Sequence, residues 1–230
     1  MSVVLTVLAL LAYLGARETS VFAVRTIDVE GARPAVARRV EIALRPLEGK
    51  SLLKLRDDDV TRLATALPSV AGVTYDRAFP NTLRVEIVTE QPVAVVRRGV
   101  KAWVVSRRGR VMVRIRQRTH RTLPRIWLRQ PVALSAGVTL ASGAGADEVV
   151  LLNALRGTHL TDRVASVREI GGQWIYVLRG GVELRVGSRS ELPLKLEIAR
   201  RILSRTPVSG YLDVSVPERP VAGQEPQLSR

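Results

Sequence analysis

Few side chains in this sequence have the type and spacing that catalysis or metal binding requires. Cysteine is absent from all 230 residues, which excludes disulfides, thiolate nucleophiles and cysteine-based zinc sites. Of the two histidines, His120 lies in a run of arginines that opposes cation binding, so we expect a solvated loop residue. His159 with Asp162 and a serine could form a triad, but a Gly-x-Ser-x-Gly elbow is missing. The sequence therefore predicts no enzymatic activity and no cofactor.

Three consecutive carboxylates, Asp57, Asp58 and Asp59, are candidate metal ligands because carboxylates are the groups that Ca²⁺ and Mg²⁺ prefer. Adjacent side chains point in different directions, and the pattern of an EF-hand loop is absent around them. Acidic residues are also favoured where a helix begins, since their oxygens accept from free N–H groups and their charge suits the helix dipole. We therefore expect these aspartates to cap a helix, and we predict no metal site.

The positive charge of the chain is concentrated in one segment. The formal net charge is +15, and twelve Lys or Arg residues without a single Asp or Glu lie between Arg97 and Gln130, which we call the basic strip. The simplest interpretation of the basic strip is a strand face exposed to solvent. The alternatives are that it binds an anionic polymer or lipid headgroups, or that it binds nucleic acid. Trp103 and Trp127 are the only aromatic residues there that could stack on bases, so nucleic acid fits least well.

The first group of predicted strands and helices lies between Val24 and Ala94. Alternating apolar and polar residues predict strands over 24–29, 73–76 and 83–87. Apolar residues at helical spacing predict one helix from Pro34 to Leu47 and a second from Asp57 to Leu67. The predicted order of elements is therefore β-α-α-β-β.

The rest of the sequence predicts mainly strands, with two helices between them. Short apolar runs separated by turn residues predict strands over 93–96, 102–105, 111–115, 164–170, 173–178 and 182–186. In the third of these strands, arginines alternate with apolar residues, so we expect one buried and one cationic face. Asp147 is expected to cap one helix, and a second helix spans 192–203. Tyr211 to Val216 is predicted to be the last strand, and the tail over 218–230 is predicted to be disordered.

Several short motifs in this pattern resemble a known family. They are Gly31 after the first strand, LPSV at 67–70, AFPNTL at 78–83 and QPVA at 91–94, and they resemble the POTRA domain of the FtsQ/DivIB family of cell-division proteins. Further along, Leu123-Pro124 and Tyr211-Leu212-Asp213 resemble motifs of the same family. The resemblance implies an α+β chain in which a POTRA domain at 22–92 precedes a β domain at 93–217, with a mostly antiparallel sheet and flanking helices.

The N-terminal segment is apolar but short. Val3 to Ala16 is an uncharged run of fourteen residues, whereas a membrane-spanning helix needs about 20. We interpret residues 1–20 as a single-pass membrane anchor whose cytoplasmic basic flank lies upstream of this sequence, and a cleaved signal peptide is the alternative. In both cases we expect the rest of the chain to lie outside the cytoplasm.

The resemblance also implies a function. A protein of this family is a bitopic, non-enzymatic scaffold of the bacterial divisome in the cell membrane at the septum. It binds FtsB/FtsL or DivIC type partners at its C-terminal edge and other division proteins at the POTRA domain. From the residues themselves, a terminal strand with a Pro-containing tail is expected at a sheet edge, where free backbone groups can accept another strand. The predicted partner-binding residues are Tyr211, Asp213, Val214, Ser215, Val216, Pro217, Glu218 and Arg219. The alternative function is binding of an anionic polymer or nucleic acid by the basic strip.

Overall fold

The computed structural model describes residues 20–116, 119–129 and 132–224. The chain divides into two compact units between Glu90 and Gln91. The sequence placed this division two residues later, but Pro92 already begins the first strand of the second sheet. The predicted anchor lies outside the described residues apart from Ser20, which begins a 3₁₀ turn. Within the described ranges, no helix is long and apolar enough to cross a bilayer.

The first unit has the predicted β-α-α-β-β order. Its elements are β1 (Thr26–Glu30), α1 (Pro34–Leu44), a 3₁₀ turn (Arg45–Leu47), α2 (Asp57–Thr65), β2 (Val70–Ala78) and β3 (Thr82–Thr89). Strand β3 lies at the centre of the sheet, parallel to β1 and antiparallel to β2. Leu83, Val85 and Ile87 of β3 are buried with apolar residues of both helices, so the helices cover one face of the sheet. The alternation along β3 thus gives one apolar and one solvent-facing side.

The three aspartates at the start of α2 do not cap it. Arg56 is the N-cap residue, and no side chain accepts a capping hydrogen bond there. Asp57 instead accepts a hydrogen bond from the Tyr75 hydroxyl, and Asp59 accepts one of 2.7 Å from Arg62. The capping prediction is therefore wrong, although the carboxylates do fill the first turn, where negative charge suits the helix dipole.

The second unit is built on one nine-stranded sheet. Its elements are β4 (Pro92–Arg98), β5 (Lys101–Ser106), β6 (Val111–Ile115), β7 (Arg125–Trp127), α3 (Ala146–Ala154), β8 (Val164–Ile170), β9 (Gln173–Leu178), β10 (Glu183–Gly187), α4 (Leu192–Arg205), β11 (Tyr211–Asp213) and β12 (Val221–Gly223). The strand order is β12-β11-β10-β9-β8-β7-β4-β5-β6. The pairs β4/β7, β7/β8 and β10/β11 are parallel and the others are antiparallel. Apolar residues of both helices share one core with the sheet.

The start of α3 differs from the prediction. Gly145 is the N-cap residue, with φ +104°, and Asp147 lies inside the first turn. The Asp147 carboxylate accepts hydrogen bonds from the Gly143 N–H and the Ser142 hydroxyl, both at 2.8 Å, and from Arg189 at 2.9 Å. Asp147 therefore ties the preceding loop to the helix rather than capping it.

The C-terminal part of the chain is also different. Strand β11 ends at Asp213, because the Asp213 carboxylate accepts the Ser215 N–H at 2.8 Å and turns the backbone out of the ladder. The chain then reverses and returns as β12, antiparallel to β11. The prediction of a last strand from Tyr211 to Val216 is therefore wrong, and so is disorder over 218–224. Residues 225–230 lie outside the described residues.

Two glycines of the first unit provide a matched test of its packing. Gly31 and Gly49 both have left-handed backbones, with φ of +80° and +79°. A Cβ at Gly31 would lie 2.5 Å from the Ile87 carbonyl oxygen, whereas a Cβ at Gly49 would meet no atom within 4 Å. We expect Gly49→Ala to lower the free energy of unfolding by about 1 kcal/mol through its backbone conformation alone. We expect Gly31→Ala to cost about 2 kcal/mol more, because β3 must shift. Equal losses in urea unfolding would contradict this packing.

The Asp147 contacts predict an acid-dependent contribution to stability. The hydrogen bonds from Gly143 and Ser142, and then the charge of Arg189, lower the pKa of Asp147 below its ordinary value of 3.8. A carboxylate whose pKa is lowered in the folded state contributes stability at pH values above its unfolded pKa. This contribution is lost progressively as the pH falls from there through the lowered pKa of the folded state. Asp147→Asn should therefore be less stable than the natural protein near pH 7, with the difference shrinking near pH 3. Urea unfolding at both pH values tests this, and a difference that does not change with pH would contradict it.

Candidate functional site at the C-terminal sheet edge

The C-terminal border of the large sheet is formed by β12 and not by β11. Strand β11 pairs with β10 on one side and with β12 on the other. Tyr211 lies opposite both Glu183 and Gly223, and Asp213 lies opposite both Arg185 and Val221. Because both sides of β11 are occupied, a further strand at this border of the sheet would be added to the outer side of β12.

The eight predicted partner-binding residues do not form one strand edge. Tyr211 and Asp213 are half-buried on β11, and Val214 is fully buried, with its N–H donating to the Arg185 carbonyl at 2.8 Å. The residues from Ser215 to Arg219 form the reversal that leads into β12, closed by a hydrogen bond of 3.0 Å from the Arg219 N–H to the Val216 carbonyl. Their role in binding a partner stays a prediction.

Sequence reasoning missed the strand that forms the edge. Three residues are too few to show a strand period, so the sequence predicts Val221, Ala222 and Gly223 as part of the disordered tail. The sequence feature that could have indicated this strand is the apolar pair Val221-Ala222, which directly follows Pro220. Val221 and Ala222 are exposed in the structure, Val221 by 52%.

A stack of side chains fastens the edge strand to the sheet. The Arg185 guanidinium lies 4.2 Å from the centre of the Tyr211 ring, within the range of a cation–π contact. The Tyr211 ring lies directly against Gly223, where an added Cβ would be 2.5 Å from a ring carbon. Cross-strand contacts of this kind stabilise sheet pairs. The stack therefore joins β10, β11 and β12 on one face.

Arg185 is paired with a carboxylate within the sheet. Arg185 is buried, and it donates to the Glu183 carboxylate at 3.2 Å. Arg168 of β8 donates to the other oxygen of the same carboxylate. A buried charge is tolerated when it is paired and hydrogen-bonded, so this arrangement can hold a guanidinium against the Tyr211 ring.

The basic strip does not form the continuous cationic face that the sequence suggested. Several of its guanidinium groups donate to backbone carbonyls of loops and strand ends: Arg98 to Val132, Arg110 to Gly137, Arg125 to Thr119 and His120, and Arg129 to Glu169. In β6 the prediction of one buried and one cationic face is wrong, since a bulge opposite Val104 and Val105 breaks the alternation and leaves Val113 48% exposed.

The histidines that were candidates for catalysis or metal binding do not lie together in a site among the described residues. His120 and His159 are both exposed. Across the described ranges, no group of three or more His, Cys, Asp or Glu side chains could hold a metal ion. The outer side of β12 is a strand edge, where backbone groups alternate between facing β11 and facing outward.

Comparison with known proteins identifies the first unit. Residues 22–90 match the family model described as POTRA domain, FtsQ-type. The match ends at the residue where the structure divides the chain, and it confirms the resemblance to the FtsQ/DivIB family. No curated protein matches the chain.

The contact between Tyr211 and Gly223 predicts a coupled pair of substitutions. Gly223→Ala pushes its Cβ into the Tyr211 ring and should loosen β12, so the amides of Val221 to Gly223 should exchange hydrogen faster. Since a ring can move aside, we expect a smaller loss of global stability than for Gly31→Ala.

Tyr211→Ala removes the obstacle, so the double variant should lose less free energy of unfolding than the sum of the single variants, by about 1 kcal/mol. Thermal and urea unfolding of the four proteins measure this coupling. Strict additivity would show that the ring and Gly223 do not act together.

Proposed function

Because residues 22–90 are an FtsQ-type POTRA domain, we propose that this chain is a single-pass membrane scaffold of the bacterial divisome. The domain indicates a role in cell division, and its family consists of non-enzymatic division proteins. The finer proposal is that the chain is anchored in the cell membrane at the septum, and that its two units lie outside the cytoplasm and recruit other division proteins. One observation supports this proposal: the FtsQ-type POTRA domain is followed by a second unit whose sheet ends in the short strand β12.

Recruitment would occur by strand addition to β12. An FtsB/FtsL or DivIC type partner would place an extended segment along the outer side of Val221 to Gly223 and bond to the backbone groups there. Backbone hydrogen bonds supply affinity in this mode, whereas neighbouring side chains supply specificity.

The residues beside the edge suit that role. Val216, which is 52% exposed, and the charged residues Glu218 and Arg219 lie in the reversal next to β12. They can contact the side chains of an added strand without belonging to the ladder. The stack of Arg185, Tyr211 and Gly223 holds β12 in place before binding, and a preorganised edge loses less conformational entropy when a partner binds.

The proposal extends to the POTRA unit, which would bind other divisome members separately from the β12 edge. Val88 of β3 is 59% exposed on the open face of the sheet, and Ile42 of α1 is 51% exposed on the side that the helices cover. They are two separate apolar positions at which this binding can be tested.

The edge proposal is tested by placing a charge on β12 and, as a matched control, on the opposite edge strand. Val221 of β12 and Val113 of β6 are exposed by 52% and 48%. A lysine on an edge strand opposes pairing with another strand. We expect Val221→Lys to reduce capture of FtsB/FtsL or DivIC type proteins at least about tenfold, a change of about 1.4 kcal/mol.

Capture is measured by affinity purification from dividing cells that express the variant at the natural level. Val113→Lys should leave capture unchanged, and the unfolding of both variants should match that of the natural protein. Equal capture by Val221→Lys and the natural chain would contradict strand addition at β12, and loss of capture by Val113→Lys alone would place the edge at β6.

A further inference from the structure

A cleft opens in the middle of the large sheet, far along the strand order from β12. Strands β7 and β8 are neighbours, yet their only register pair is Arg125 with Ser166. Strand β7 ends at Trp127, whereas β8 continues to Ile170. Beyond Ser166 the two strands separate, and a cavity of about 460 Å³ lies between them.

The residues that line this cavity include some with side chains on each face of the sheet. Val167 belongs to the core under the helices, whereas Arg168, next along β8, donates to Glu183 on the other face. Trp127 follows the buried Ile126 and therefore lies on the face opposite to it. The cavity is thus a gap in the sheet rather than a depression in one face.

The gap lies beside the carboxyl end of β7. Strands β4, β7 and β8 run parallel, so their carboxyl ends lie at the same border. The volume of the cavity falls in the range of about 300 to 1,000 Å³ that small-molecule sites occupy.

The lining of the gap combines a half-exposed aromatic ring with charges of both signs. The Arg97 guanidinium lies 6.0 Å from the centre of the Trp127 ring, so a ligand would stack on the ring face that Arg97 leaves free. Trp127 is 51% exposed, whereas Trp103 and Trp174 are 4% and 8% exposed. Two arginines and two glutamates line the same cavity: Arg129, Arg168, Glu148 and Glu169. Arg129 also reaches across the gap and donates to the Glu169 carbonyl at 3.0 Å.

This lining disfavours an ion and favours an uncharged ligand with many hydroxyl groups. The two arginines and the two glutamates give the lining no net charge, so it does not attract an ion of either sign. A pyranose ring has an apolar C–H face that can stack on an indole, and a rim of hydroxyl or amide groups that donate to carboxylates and accept from guanidinium groups.

We propose that the gap between β7 and β8 binds an uncharged saccharide through one pyranose ring. Trp127 stacks on the sugar face, Glu148 and Glu169 accept from its hydroxyl groups, and Arg129 and Arg168 donate to its oxygens. This inference rests on the proposed function for its setting, since a chain outside the cytoplasm lies among the glycans of the cell envelope.

The test uses the full chain in mild detergent, with cellotetraose and chitotetraose as uncharged probes and a heparin tetrasaccharide as the anionic probe. Trp127 is the exposed tryptophan, so acrylamide quenching of fluorescence reports mainly on it. We expect both uncharged probes, at millimolar concentration, to protect the fluorescence from quenching, and the heparin fragment to give no protection.

Calorimetry then compares variants. Trp127→Ala should lower the affinity for the uncharged probes at least about tenfold. Trp127→Phe, which keeps an aromatic ring, should restore most of that loss. Phe79→Ala removes a 55% exposed aromatic residue of the first unit and should leave the affinity unchanged.

Three outcomes would overturn the inference: no protection by the uncharged probes, binding of the heparin fragment alone, or unchanged affinity in Trp127→Ala. Its failure is distinct from failure of the proposed function. If the chain captures division proteins through β12 but does not bind the uncharged saccharides, only the saccharide inference is contradicted. A chain that binds saccharides but captures partners equally well with Val221→Lys contradicts the β12 proposal alone.

Discussion

The pairing of β11 with strands on both sides determines what the second unit can offer to other proteins. Strand β11 is only three residues long, yet Leu212 and the following Val214 are almost fully buried and fix it against the core. It joins β10 in parallel and β12 in antiparallel orientation. Without β11, the three residues of β12 would have no ladder to join, since so short a strand is not stable alone.

Many Arg and Lys side chains of this basic chain donate hydrogen bonds to backbone carbonyl groups. These bonds explain how the chain folds with fewer carboxylates than cationic groups. Arg179 donates to the carbonyls of Arg121, Thr122 and Asp162. Lys195 is 2% exposed and donates to the carbonyls of Val186 and Ser188 at 3.0 and 3.2 Å. A buried cation needs such partners, so these bonds make the charge part of the structure. Net charge is for this reason a weak guide to the partners of this protein.

Much of the fold was predictable because apolar residues recur at regular spacing along the longer helices and strands. The order of the first unit, the strands β8 to β10 and the helix α4 all follow from apolar spacing. The errors lie where single side chains or tertiary pairing override local pattern. The Asp213 turn shortens the last predicted strand, a bulge disturbs β6, and Asp147 bonds to a loop rather than capping α3.

The candidate site was only partly predictable for the same reason. A C-terminal edge was expected, and Tyr211 and Asp213 do lie on the strand next to it. Strand β12 was missed because a three-residue strand is defined by its pairing rather than by its sequence. The gap beside Trp127 was not predictable at all, since it depends on where β7 ends relative to β8.

Amide hydrogen exchange of the full chain, with and without an FtsB/FtsL or DivIC type partner, tests the central claim most directly. A strand added to β12 should slow the exchange of amides in Val221 to Gly223, while the amides of β6 at the opposite edge should exchange at the same rate. Unchanged exchange in β12 on partner binding, or protection that appears in β6 instead, would contradict strand addition at the C-terminal edge.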